Sequence, residues 1–237
     1  MERVIWMCWL QGWDKAPPVA RACLNSWIAL NPGWTIKPVD TKSVRELVEL
    51  PNLSGKQITP TALSDLVRIH LLQAHGGIWV DATVLCRRPL DDWFPDVFGE
   101  GFFAFDKPGG DRPLSTWFLA ANRDHPLAAA WKQSAVDYWI DRKAAHQYFW
   151  FHELFAVRCC DDASFSEAWS RVPKISARGP HLAQRVGLGS QHSAAIREVR
   201  DHPAPMYKLT RKHNPAMLGL PCVLSDLLGD YATQMRV

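Results

Sequence analysis

The chain has 237 residues, a formal net charge of +3, 47% hydrophobic residues and 22% charged residues, the profile of a soluble globular protein with a substantial core. So small a charge, with basic and acidic residues interspersed, excludes a nucleic-acid-binding surface, and no stretch approaches the ~18 consecutive apolar residues a membrane-spanning helix needs. The length suits one α/β domain over residues 1–237, and no linker-like segment divides it.

The run 4–10, Val-Ile-Trp-Met-Cys-Trp-Leu, is short and has no small-residue cleavage site after it. It predicts a buried first strand and not a signal peptide. Asp14 and Pro17-Pro18 introduce a helix carrying Val19, Cys23, Trp27 and Leu30, because proline is tolerated in a first helical turn. Asn31-Pro32-Gly33 ends that helix. Residues 35–39 predict a second strand, at an edge or strand end because of Pro38, and residues 41–50 a short helix. A third helix is expected from 61 to 75, capped by Thr61 or Ser64, followed by Gly76-Gly77 and one strand over 78–85. Further strands are expected at 102–105 and 116–121, then a long amphipathic helix at 126–144. The remainder reads as mostly helical, with a late strand near 206–210. Strand–helix alternation predicts an α/β fold with a mixed, mainly parallel sheet, flanking helices and a helical second half.

Six cysteines (Cys8, Cys23, Cys86, Cys159, Cys160, Cys222) show neither C-x-x-C spacing nor a zinc-type His/Cys cluster. They read as reduced, mostly buried thiols of a cytoplasmic protein. Twelve tryptophans are assigned mainly to the core, Trp131 and Trp139 among them, although aromatic faces also serve carbohydrate and base recognition.

Chemistry concentrates between residues 64 and 83. Asp65 and Arg68 sit three apart on one helix face. The diglycine allows a tight exit and a close approach to the backbone. Asp81 then lies near a strand end, where open α/β sheets bind ligands. Two carboxylates and a guanidinium in one cleft match the needs of a sugar nucleotide. Arginine's planar fork fits phosphate oxygens, and carboxylates accept from hydroxyls or hold a divalent cation that bridges the diphosphate.

The segments Ser64-Asp65-Leu66-Val67-Arg68 and Gly76-Gly77-Ile78-Trp79-Val80-Asp81-Ala82-Thr83 resemble the donor-binding signature of the DXD-containing sugar glycosyltransferases of GT-A fold. That group includes fungal initiating mannosyltransferases and the glucosyltransferase domains of clostridial toxins. The Asp-Ala-Thr variant resembles the bacterial capsular polysaccharide synthesis branch, as do Trp6 to Trp13, Asn25-Ser26-Trp27, Ser115 to Phe118 and Tyr207-Lys208-Leu209. The resemblance implies a single glycosyltransferase domain with a donor-binding core at about 1–121 and a helical, acceptor-side portion at about 122–237. It implies that Trp9 stacks on the nucleobase, that Asp65 contacts ribose or sugar, and that Arg68 reaches the diphosphate or the sugar. Asp81 is implied as the first Asp of the DXD element, with Asp81 and Thr83 as the ligands of Mn2+ or Mg2+. Thr83 departs from the pattern, because a neutral hydroxyl replaces the usual second carboxylate, which leaves open a metal held through Asp81, the diphosphate and water.

His152 and Glu153 are candidates for acceptor contact or proton transfer, or else form a hydrogen-bonded core pair. Gly179-Pro180-His181 resembles a Gly-Pro loop of related transferases beside the donor site. Lys208 either covers the diphosphate, as basic residues late in GT-A chains do, or is a solvated strand lysine. Arg87-Arg88 reads as a solvated turn. Sequence and resemblance together predict glycosyl transfer from a nucleoside diphosphate sugar to a glycan or lipid-linked acceptor in bacterial surface polysaccharide synthesis, with retention favoured. The protein would be cytoplasmic, with peripheral association at the inner membrane face left open. The alternative is a non-catalytic sugar-nucleotide-binding subunit.

Overall fold

An unbroken apolar run makes β1 (Val4–Cys8) a two-sided buried strand, and the chain continues through α1 (Pro18–Leu30), β2 (Thr35–Val39), α2 (Thr41–Leu47) and α3 (Pro60–His75). It proceeds through β3 (Gly77–Asp81), β4 (Val84–Cys86), β5 (Phe102–Gly109) and β6 (Arg112–Ala121). The second half holds α4 (Pro126–Tyr138), α5 (Trp150–Asp161), α6 (Ala163–Arg171), α7 (Leu182–Val186), α8 (Ser193–Asp201), β7 (Met206–Lys208) and α9 (Val223–Ala232). This computed structural model describes residues 1–232.

The central sheet has the order β2-β1-β3-β6-β5. β1 is parallel to β2 and β3, whereas β6 is antiparallel to β3 and β5, so the mixed α/β class expected from the alternation is present. Pro38 lies in β2, an edge strand, where its missing N–H breaks no ladder. Side chains alternate between the two faces. Trp6, Trp79, Leu119 and Phe102 pack on one face against α3, α4 and α5 residues, including Leu66, Trp131 and Phe151. Ile5, Met7, Ile78, Val80 and Phe118 pack on the other with Trp27 of α1. A third cluster joins α1 to α7, α8 and α9. Trp131 and Trp139 are buried, as expected, and all six cysteines are free, four of them buried. Among the described residues, no helix is long and apolar enough to cross a membrane.

Three expectations change. Thr59, not Thr61 or Ser64, caps α3, its hydroxyl accepting from the Ala62 N–H with Pro60 in the first turn. The single strand expected at 78–85 is two strands. β3 stops at Asp81, and β4 leaves the main sheet to pair antiparallel with β7, Val84 opposite Lys208. The helix expected to reach 144 ends at Tyr138. There Lys56 donates to the carbonyls of Trp139 and Ile140, satisfying acceptors that a longer helix would have used.

Candidate functional site

Cys8 of β1 stands opposite Asp81 of β3 in the parallel ladder, so the C-terminal ends of these strands bring Trp9 and Asp81 to one sheet edge. α3 lays Asp65 and Arg68 beside them. Both are buried, Arg68 to 3% exposure. The guanidinium donates from Nη1 to Asp65 Oδ1 at 2.6 Å and from Nη2 to Asp81 Oδ1 at 2.8 Å. The Trp79 indole N–H donates to the same Asp81 oxygen at 2.9 Å, and the Arg68 guanidinium carbon lies 5.0 Å from the Trp79 ring centroid. From the opposite side Lys208 Nζ donates to Asp81 Oδ2 at 2.9 Å and to Thr83 Oγ1 at 2.8 Å. Both Asp81 oxygens are therefore engaged by donors.

One guanidinium serves two carboxylates, and their titration separates accordingly. Burial pushes Asp65 up to about 7, with the Arg68 charge opposing and the Asp81 charge reinforcing the rise. Burial acts on Asp81 as well, but Lys208, Arg68 and the Trp79 hydrogen bond overcome it and hold this carboxyl well below the usual range. Asp81 is thus a fixed anion beside two fixed cations. Above them opens a pocket of about 440 Å³ whose walls include Trp9, Arg68, Asp81, Thr83, Tyr148 and Lys208.

The expected divalent cation does not fit these side chains. Magnesium and manganese sites favour anionic oxygen ligands, and among the described residues no three His, Cys, Asp or Glu side chains converge as a metal site. Asp81 supplies one carboxylate with both oxygens taken, and the Thr83 hydroxyl is neutral and bonded to Lys208.

The remaining candidates disperse. Gly76 caps α3 and Gly77 opens β3 at the end opposite Asp81, and neither lines the pocket. The groups that approach them are protein: a Cβ on Gly77 would meet Val4 Cγ1 at 2.4 Å, and one on Gly76 would meet the Arg123 backbone nitrogen at 2.8 Å. The diglycine therefore serves strand packing. His152 and Glu153 separate because consecutive helical residues point in different directions. His152 faces inward, Nε2 lying 3.3 Å from Thr116 Oγ1 and Nδ1 buried without a partner. Burial, helped by Arg68 and Arg112, pushes it down to about 3. Glu153 is exposed and engages His146 and Gln147. His181 lines a neighbouring cleft of about 660 Å³, with Gln184 shared between that cleft and the first pocket. The Pro180 carbonyl accepts from the Lys208 N–H at 2.9 Å, so the Gly-Pro loop steadies Lys208 through its backbone.

The family model of the capsular polysaccharide synthesis proteins matches residues 1–218. The chain belongs to that family. The match spans every residue of the Asp81 cluster, Lys208 included. The chain is 25% identical over 166 residues to the O-glycosyltransferase PaGT of Phomopsis amygdali, covering 60% of this chain and 40% of that protein. It is 25% identical over 161 residues to the O-glycosyltransferase braB of Annulohypoxylon truncatum, covering 58% and 38%. The chain thus aligns with less than half the length of these relatives. Among solved structures it is similar to the galactosyltransferase LgtC in complex with donor and acceptor sugar analogues, at a TM-score of 0.47 and 13% identity over 97% of this chain and 96% of that one. It is also similar to PaToxG glycosyltransferase, at 0.45 and 12% over 96% and 87%.

Several residues that line the pocket carry no clear mark in the sequence read alone. Tyr148 is 70% exposed at the pocket mouth, and Arg211 and Lys212 line the same pocket. The available signal was Lys208-Leu-Thr-Arg211-Lys212, three cations within five residues. Arg87 is not a solvated turn residue either. It donates to the carbonyls of Arg200 and His202 and to the Tyr207 hydroxyl, and it lies 4.6 Å from the Tyr207 ring centroid, clamping the segment that leads into β7.

Proposed function

We propose that the protein is a glycosyltransferase of GT-A type that moves a sugar from a nucleoside diphosphate sugar to a glycan or lipid-linked acceptor in surface polysaccharide synthesis. The observation that carries this reading is the Asp81 carboxylate held between Arg68 and Lys208 on the floor of the pocket. Breaking the bond from the sugar's anomeric carbon to the diphosphate oxygen sends an electron pair onto the diphosphate. The new bond forms to an acceptor hydroxyl oxygen, whose proton is released. Preorganised cations beside the leaving group stabilise the developing charge, Asp81 offers an acceptor to ribose or sugar hydroxyls, and Asp65, buried outside the pocket lining, holds the Arg68 guanidinium in place.

Trp9, at the end of β1 and lining the pocket, is assigned to the base. The cleft beside His181, reached past Gln184, is assigned to the acceptor. Family membership and the glycosyltransferase names of the relatives support the class of reaction. A cytoplasmic protein working at the inner membrane face suits a lipid-linked acceptor, and hexosyl transfer with retention is the preferred form. Thr83 in the place of a second acid keeps a second reading in view, a non-catalytic sugar-nucleotide-binding subunit. A thermal-shift panel of nucleoside diphosphate sugars tests the shared donor claim. A donor at ~100 times its dissociation constant adds about 2.7 kcal/mol to stability, and a panel without any shift overturns the proposal. Transfer of labelled sugar to cell-envelope extract separates the enzyme from the subunit.

A further inference from the structure

Asp81, Ala82 and Thr83 form the turn between β3 and β4, and the notch between the first and third of these side chains holds the ammonium of Lys208. Several features fix it there. Lys208 stands opposite Val84 in the β4–β7 ladder. Its own N–H donates to the Pro180 carbonyl at 2.9 Å, and the next N–H, that of Leu209, donates to the Thr83 carbonyl at 2.7 Å. The side chain is 18% exposed. Asp81 Oδ1 is occupied from the opposite side by Arg68 and Trp79. Displacing the ammonium for a metal would separate a lysine from its carboxylate and offer the metal only one anionic group.

We propose that the Lys208 ammonium, bridged between Asp81 and Thr83, is the built-in cation of the diphosphate subsite, so that donor binding needs no divalent metal. The inference rests on the donor-site reading above. Three chemical facts carry it. An ammonium has three donors; two reach Asp81 and Thr83, which leaves one for a phosphate oxygen. Thr83 matches an ammonium better than a dication, because its neutral hydroxyl accepts a hydrogen bond without adding the charge a metal requires. Charge balance agrees as well. Asp65 and Asp81 face Arg68 and Lys208 in equal number, while Arg211 and Lys212 line the same pocket with no acidic partner within ion-pair distance among the described residues. An entering diphosphate therefore meets net positive charge supplied by the chain itself.

The test is calorimetric titration of the full chain with uridine, guanosine, adenosine and thymidine diphosphates, each in chelator and in excess Mn2+. The wild type is expected to bind its preferred nucleotide with affinity equal to within about twofold in the two conditions. Lys208→Met is expected to lose roughly tenfold to a hundredfold in chelator, the scale of one charge-assisted hydrogen bond. Lys208→Arg keeps a cation and should retain part of the affinity, and melting curves confirm that each variant folds. Combining Lys208→Met with Thr83→Asp should create what the wild type lacks, nucleotide binding strengthened by Mn2+ and an apo-protein Mn2+ signal in electron paramagnetic resonance. Wild-type binding that appears only with Mn2+ overturns the inference and leaves the donor site standing. Unchanged affinity in folded Lys208→Met also overturns it. If no nucleotide binds in either condition, the donor-site reading fails and takes the inference with it.

Discussion

Lys208 and Thr83 lie 125 positions apart in the chain, yet the lysine ammonium donates to the threonine hydroxyl at 2.8 Å. The contact exists because the chain leaves the central sheet after Asp81 and forms β4, onto which β7 returns with Lys208 opposite Val84. A short two-stranded ribbon thereby closes one side of a pocket whose opposite wall carries Trp9, Arg68 and Asp81.

Arg68 is the only cation bonded to both Asp65 and Asp81 among the described residues. Arg68→Met should cost about 3–5 kcal/mol in urea denaturation, since it strands the buried Asp65 and leaves Asp81 to Lys208 and Trp79 alone. Arg68→Lys should recover little, because an ammonium lacks the planar fork that spans both acids. A loss below about 1 kcal/mol for Arg68→Met would mean that the buried pairs are not formed in solution.

The pH dependence of stability has two opposed components. Burial pushes His70 down to about 4 and His152 down to about 3, from an ordinary 6.5. Between those values the unfolded chain binds more protons, so their contribution is complete above pH 6.5 and is lost as the pH falls toward 4 and 3. Asp65 has the opposite sign. Its folded value, about 7, exceeds the ordinary 3.8, so its contribution is complete below pH 3.8 and is lost as the pH rises to 7. Urea midpoints across this range should fall less steeply on acidification in His70→Gln, and should lose their decline on the neutral side in Asp65→Asn. Parallel profiles for wild type and both variants would contradict the burial argument.

Gly77 has φ +94°, and a Cβ there would lie 2.6 Å from the Val4 carbonyl oxygen. Gly77→Ala should therefore destabilise by roughly 1–3 kcal/mol while leaving nucleotide affinity in the folded fraction unchanged. Weakened nucleotide binding at an unchanged melting temperature would return the diglycine to the binding site.

Much of this arrangement is visible in the sequence because its signals are local. The continuous apolar run of β1, Pro38 on an edge strand, the three-residue spacing of Asp65 and Arg68, and an aspartate ending a buried strand need only neighbouring residues to be read. What is hidden depends on distant partners. Val84, Leu85 and Cys86 continue the apolar run of β3, and hydrophobicity cannot tell that they pair with Met206 to Lys208 instead of with the main sheet. The end of α4 depends on Lys56, more than eighty positions earlier. His152 and Glu153 look like a pair in sequence, but the helix turns one inward and the other to solvent.

Trp9 packs beside Ala16, Ala20 and Ala82 at the pocket edge. Trp9→Ala should weaken nucleotide binding by roughly 1–3 kcal/mol, the range for base–aromatic stacking. Unchanged affinity with a lowered melting temperature would make this ring a structural residue only.

Indole N–H resonances give the most direct view of where a donor binds, because Trp9 and Trp79 line the pocket while Trp131 and Trp139 lie buried in the core. Titrating the 15N-labelled protein with nucleoside diphosphate sugars should shift the Trp9 and Trp79 indole signals together and leave those of Trp131 and Trp139 in place. A donor panel that moves neither pocket indole, or moves only those of the core, would contradict the assignment of the Asp81 pocket to a nucleoside diphosphate sugar.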